Sequence, residues 1–69
     1  MTQKQAYQVM LKEYPDVLNI DDISRLLKIS VKTSYKLLRE GKISHLKVGR
    51  EYRIPKVYVI DYLIKMNYP

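Results

Sequence analysis

Residues 19–41, "NIDDISRLLKISVKTSYKLLREG", decide how this chain folds. Asn19 stands before Ile20, Ile23, Leu26 and Leu27, whose spacing marks one apolar side of a short helix. An asparagine there offers a side-chain oxygen to the free amides of the first turn. Asp21 and Asp22 add negative charge where the helix dipole favours it. Ser30 opens a second helix in the same way, and Gly41 supplies the left-handed residue that closes it. "KIS" between them leaves room only for a tight turn, so the first helix is limited to about two turns. In the second, Ser34, Leu37 and Leu38 point inward. Lys32, Thr33 and Lys36 lie on the opposite arc and point outward.

Downstream, "ISHLKVGREYRI", residues 43–54, approximates the alternation of two paired strands around Gly49-Arg50. Ile43, Leu46, Val48, Tyr52 and Ile54 are the side chains expected to face the core. Arg53 faces away from it and Arg50 sits at the hairpin tip. Pro55 suits the first position of a following helix, where its missing N–H costs nothing. Two helices across a tight turn, followed by a hairpin arm, have the anatomy of a helix-turn-helix with a wing. The predicted fold is mainly α with a small β-hairpin: a winged helix-turn-helix with an extra N-terminal helix and a C-terminal helix.

The two flanking helices complete one domain over residues 1–69, with the winged core at 18–63. Residues 2–14 read as a helix capped by Thr2, with Tyr7, Met10, Leu11 and Tyr14 on one stripe and Pro15 ending it. The last helix, residues 55–67, is apolar on two sides. Val57, Ile60 and Ile64 form one face; Val59, Tyr62 and Met66 form another nearly opposite, with Asp61 and Lys65 between. A helix apolar on most sides is covered on most sides. One face packs on the core. The second, Val59, Tyr62 and Met66, is expected under the N-terminal stripe, the alternative cover being a second molecule.

The charge is unevenly spread. The chain of 69 residues carries +6, yet residues 25–56 hold ten basic and two acidic residues, a net +8. The remainder holds three bases and five acids, a net −2. Such concentration is the electrostatic footprint of a nucleic-acid binder; the bland alternative is a solvated basic surface. There is no cysteine and a single histidine, His45, so thiolate and Cys/His metal sites are excluded. The absence of cysteine suits a reducing cytoplasm. The first ten residues lack a signal-peptide pattern, and "VYVI" is the longest apolar run, far below the length of a membrane span. No glycine-rich phosphate loop, paired inward carboxylates or Ser/His/Asp set is present, so an enzyme is not expected. No cofactor is expected either. Seven tyrosines read as core-edge residues, since Tyr7, Tyr14, Tyr58 and Tyr62 lie away from the basic half.

Taken together, "LNIDDISRLLKISVKTSYKLLREGKISHLKVGREYRIPKVYVIDYL", residues 18–63, resembles the excisionase-type DNA-binding domain. This is a winged helix-turn-helix similar to the DNA-binding part of MerR-like regulators. The acidic first turn, Ser30 at the cap, "SYKLLREGKI" and "VGREYRIP" carry the likeness. The resemblance implies double-stranded DNA binding, with the helix after Ser30 in the major groove and the hairpin around Arg50 on the backbone or neighbouring minor groove. It implies a directionality factor that bends DNA for a tyrosine recombinase excising a mobile element. A small transcriptional regulator of the same fold is the alternative, and a protein-interaction module a more distant one. The implied partners are double-stranded DNA, a tyrosine recombinase or integrase, and further copies of the chain on DNA; no membrane or small-molecule ligand is expected. Two departures stand out. Lys28 occupies a turn position where the family usually has glycine, so it must adopt a left-handed conformation or the turn must differ. Ser34 replaces a usually apolar residue.

The candidate DNA-binding residues are Ser30, Lys32, Thr33, Tyr35, Lys36, Arg39, Lys47, Arg50 and Arg53. Lysine donates to guanine and phosphate, and the threonine methyl meets a thymine methyl. Ser30 is a cap first, although a helix N-terminus also receives phosphate. Tyr35 can bond a phosphate or pack beneath the wing. Paired arginines on a hairpin suit a narrow, negatively charged groove. His45 reads as a strand-surface residue.

Overall fold

The computed structural model describes residues 2–66; the expected end of the last helix at Asn67 lies outside them. Thr2 caps α1 (Gln3–Met10): its hydroxyl accepts from the Gln5 amide at 3.1 Å, and Gln5 accepts in return from the Thr2 amide at 2.8 Å. α1 ends earlier than its apolar stripe suggests. The amides of Lys12 and Tyr14 bond three residues back, to Val9 and Leu11, so residues 11–14 form tight turns instead of another helical turn. Of the stripe, Leu11 is buried, Tyr7 and Tyr14 are half-buried, and Met10 is exposed.

After β1 (Val17–Leu18) come α2 (Ile20–Leu27) and α3 (Val31–Arg39), then β2 (Leu46–Val48), β3 (Glu51–Pro55) and α4 (Lys56–Met66). Asn19 caps α2, accepting from the Asp22 amide at 2.8 Å while the Asp22 carboxylate accepts from the Asn19 amide at 3.1 Å. Lys28 ends α2 in the left-handed region, at φ 55° and ψ 48°, so the turn keeps the shape that glycine would favour. Ser30 caps α3, and Gly41, at φ 73°, closes it. There the Gly41 amide bonds Leu38 and the Lys42 amide bonds Leu37, which satisfies two carbonyls the helix end would leave free. Where α2 crosses α3, the hydroxyls of Ser24 and the fully buried Ser34 lie 2.8 Å apart, one donating to the other, while the accepting hydroxyl donates to the carbonyl four residues before it, Ile20 or Ser30.

The strands form one antiparallel sheet in the order β1-β3-β2, so a third strand joins the expected hairpin. Leu18 pairs with Ile54 and Val17 with Pro55; Pro55 closes β3, and α4 begins one residue later than expected. The main core is Leu18, Ile23, Leu38, Ile43, Ile54 and Val59, with Tyr62 and Leu63 packed against it. This is a mainly α winged helix-turn-helix fold.

Two expectations about inward side chains fail. Leu46 and Val48 are 53% and 62% exposed. Val48 pairs with Glu51, Lys47 with Tyr52 and Leu46 with Arg53, and directly paired residues share a sheet face. Lys47 therefore shares the inner face with Tyr52, while Leu46 and Val48 share the outer face with Arg53. On α4, Val59 and Tyr62 join the main core, while Val57 and Met66 are 49% and 65% exposed. α1 does pack on α4 of its own chain, but not on the face expected. Leu11 and Ile60 are buried outside the main cluster, Ile60 on α4 and Leu11 at the residue that ends α1. Val59 and Ile60 are adjacent, about 100° apart around the axis, and so serve the two contacts separately. Lys56 adds a tether: its ammonium donates to the Leu11 carbonyl at 3.0 Å and the Tyr14 carbonyl at 2.8 Å.

Candidate nucleic-acid interface

Burial of Ser34 and Leu38 fixes the rotation of α3, and the opposite arc presents Lys32, Thr33, Lys36 and Arg39 to solvent. Ser30 arranges the start of this surface. Its oxygen accepts from the Thr33 amide at 3.1 Å and its hydroxyl donates to Thr33 Oγ1 at 2.9 Å. One residue thus satisfies an amide of the first turn and fixes the rotamer of an outward threonine.

The wing meets α3 at Tyr35. Two residues, Gly49 and Arg50, connect the paired Val48 and Glu51. Gly49 has φ 63° and Arg50 does not have positive φ, the signs of a type II′ hairpin turn, which needs glycine first. Arg50 projects from the tip, exposed. Between the wing and the helices runs a groove. Tyr35, Arg50, Glu51 and Arg53 line one part, Asn19 and Asp21 the other. Tyr35 packs beneath the wing: its ring centroid lies 5.6 Å from that of Tyr52. Lys47 holds its ammonium 5.3 Å from the Tyr52 centroid, a favourable cation–π placement.

Not every basic residue is equally available. Arg25 pairs with Asp22 at 2.6 Å and Arg53 with Glu51 at 2.7 Å, while Lys56 is turned into the α1 tether. Among the described residues no ion pair holds Lys32, Lys36, Arg39 or Arg50. Those four, with Thr33, make the open cationic surface; Arg53 joins the groove as half of an exposed ion pair. Such a pair is weak and readily exchanged for a phosphate. Sequence reasoning missed the groove's acceptors, Asn19, Asp21 and Glu51. Their signal is faint: two belong to a helix start, and Glu51 merely follows Arg50 in the hairpin. His45 lies on the inner side of the wing, its Nδ1 3.0 Å from the Ile43 carbonyl and its ring edge-on to Tyr52.

The model of the helix-turn-helix domain family matches residues 17–66, a span that begins at β1 and ends with α4. The chain belongs to this family and is a helix-turn-helix DNA-binding domain. Searches of curated proteins and of solved structures return no match. The match leaves out α1. Among the described residues no helix is long and apolar enough to cross a membrane.

Proposed function

We propose that this chain is a sequence-specific double-stranded DNA-binding protein that bends its site and assists a tyrosine recombinase in excising a mobile element. The observation that carries the DNA reading is an exposed basic arc on α3, a helix whose Tyr35 lines one groove with Arg50 of the wing tip. Lys32, Thr33, Lys36 and Arg39 are exposed on α3, and Arg50 and Arg53 line the groove in which Tyr35 of the same helix takes part. An α-helix fits the major groove, and a hairpin arm beside it reaches the adjacent backbone or minor groove. Thr33 and Lys36 read base edges, and Ser30 positions Thr33. Arg39, Lys47 and Arg53 supply phosphate contacts, as does Tyr35 where its hydroxyl clears the wing. The role in excision rests on the resemblance of residues 18–63 to excisionase-type domains, and a DNA bend is the mechanical part of that role.

The roles of helix and wing separate in a titration against selected and scrambled duplexes at several salt concentrations. Arg50→Ala weakens both duplexes about equally and lowers the salt slope by about 1, as the loss of one phosphate contact does. Thr33→Ala or Lys36→Ala costs the selected site ~1–3 kcal/mol and the scrambled one less. Loss of site preference alone in Arg50→Ala would reverse the assignment. Salt-insensitive, negligible binding to any duplex would leave a protein-interaction module. A selected duplex that binds tightly but stays straight, by energy transfer between its labelled ends, would favour a transcriptional regulator.

A further inference from the structure

We propose that Tyr52 is a positioning residue that fixes the wing relative to α3, so that Arg50 and the α3 surface engage one duplex as a unit. The inference rests on Arg50 being a DNA contact. The wing has little else to hold it. β1 pairs only with Ile54 and Pro55, so from Glu51 to Arg53 the sole strand partner of β3 is β2. Beyond β1 the wing is a two-stranded ribbon, and such ribbons are marginal by themselves. Leu46 and Val48, which could have anchored β2, face solvent.

Tyr52 supplies the missing anchor. It is half-buried against the main core. Its ring lies 5.6 Å from Tyr35 on α3 and 5.2 Å from His45, which is itself bonded to the carbonyl of buried Ile43. The Lys47 ammonium on β2 covers the same ring at 5.3 Å. One side chain therefore links α3, the segment entering β2, and both strands of the ribbon. Without that ring the tip swings, and Arg50 meets the backbone at a lower effective concentration once α3 is docked.

The chain has no cysteine, so spin labels at Arg39→Cys and Arg50→Cys report the helix-to-tip distance in the free protein. Tyr52→Leu, which still fills the core side, broadens the distance distribution; Tyr52→Phe, which keeps the ring, leaves it narrow. Should Tyr52→Leu fail to fold, Tyr35→Ala cuts the same link from an exposed position. An unbroadened distribution in these variants overturns the proposal. In DNA titrations Arg50→Ala weakens binding roughly tenfold in the parent, equivalent to 1.4 kcal/mol, but less than about twofold in the Tyr52→Leu background. Equal losses in both backgrounds refute the coupling and leave the wing contact standing. No loss in the parent removes Arg50 from the DNA surface, and the label distances then decide the positioning role alone.

Discussion

α1 and α2 are each eight residues long, and each begins with a reciprocal capping box, Thr2 with Gln5 and Asn19 with Asp22. Their fates differ. α2 buries Ile23 completely and sets Ile20, Leu26 and Leu27 against the main core. α1 has no buried residue within its own span and is held by Leu11, just past its end, and by the Lys56 tether. A cap fixes where a helix starts at a gain of about 1 kcal/mol. Helices this short do not persist in water on caps and propensity. Tertiary burial decides whether they are held, and here it divides the helix-turn-helix from its N-terminal extension.

The same substitution in both regions tests that division most strongly. Leu38→Ala, in the main core, is expected to cost ~2–5 kcal/mol through lost transfer energy and an unfilled cavity. In a domain this small that approaches the whole stability, so thermal melts should show a large loss of cooperative folding. Leu11→Ala removes the same atoms from an equally buried site, yet its cost is capped by the free energy that holds α1 down. Hydrogen exchange should then show α1 opened and α2–α3 still protected. Equal losses in the two melts would break the comparison and make α1 an integral part of one cooperative unit.

Lys56→Met sharpens it with a smaller change. The two carbonyls of Leu11 and Tyr14 lose their shared cationic donor, and hydrogen bonds to charged groups contribute roughly 1.5–3 kcal/mol each at most. Leu11 is buried but Tyr14 is only half-buried and both bonds are partly buried, so water replaces part of the loss and the expected cost is about 1–2 kcal/mol. Loss of amide protection confined to residues 3–14, with unchanged DNA affinity, is the expected pattern. A loss spreading into α2 and α3 would show that the tether supports the DNA-binding core as well.

What the sequence made legible follows the same line. Short-range chemistry could be read directly: Thr2, Asn19 and Ser30 as caps and Gly41 as a left-handed stop; for Lys28 the sequence left open a left-handed lysine or a different turn, and the structure has the former. The outward arc of α3 followed from Ser34 and Leu38, because a 3.6-residue period leaves it no other rotation. Parity in the wing was misread. A two-residue turn places Val48 opposite Glu51, which puts Val48 and Tyr52 on different faces. Treating Leu46, Val48 and Tyr52 as one inward set conflicts with a turn at Gly49-Arg50, and the turn prevailed. β1 was invisible because two residues make no alternation. The division of α4 between Val59 and Ile60 depends on which partner lies on which side, information that no helical wheel contains. Lys56 looked like one more basic residue of the DNA-facing half; only the fold brings it to carbonyls more than forty positions away.

The smallest expected effect lies inside the better-packed region. Lys28 is exposed, and its backbone stands at φ 55° and ψ 48°. A side chain with Cβ costs about 1–2 kcal/mol in that conformation relative to glycine. Glycine also gives the unfolded chain more freedom, which takes back ~0.5–1 kcal/mol. The balance favours Lys28→Gly by up to ~1 kcal/mol, seen as a raised thermal midpoint. The turn that Lys28 strains joins α2 to α3, so the packing of Ile23 and Leu38 must exceed this cost for the domain to fold as it does. A comparable strain in α1 would release it, because no residue within that helix is fully buried. Lys28 is exposed outside the α3 arc, so affinity for DNA should change little, apart from the loss of one positive charge at low salt. A lowered midpoint would mean that the Lys28 side chain contributes more in place than its backbone costs.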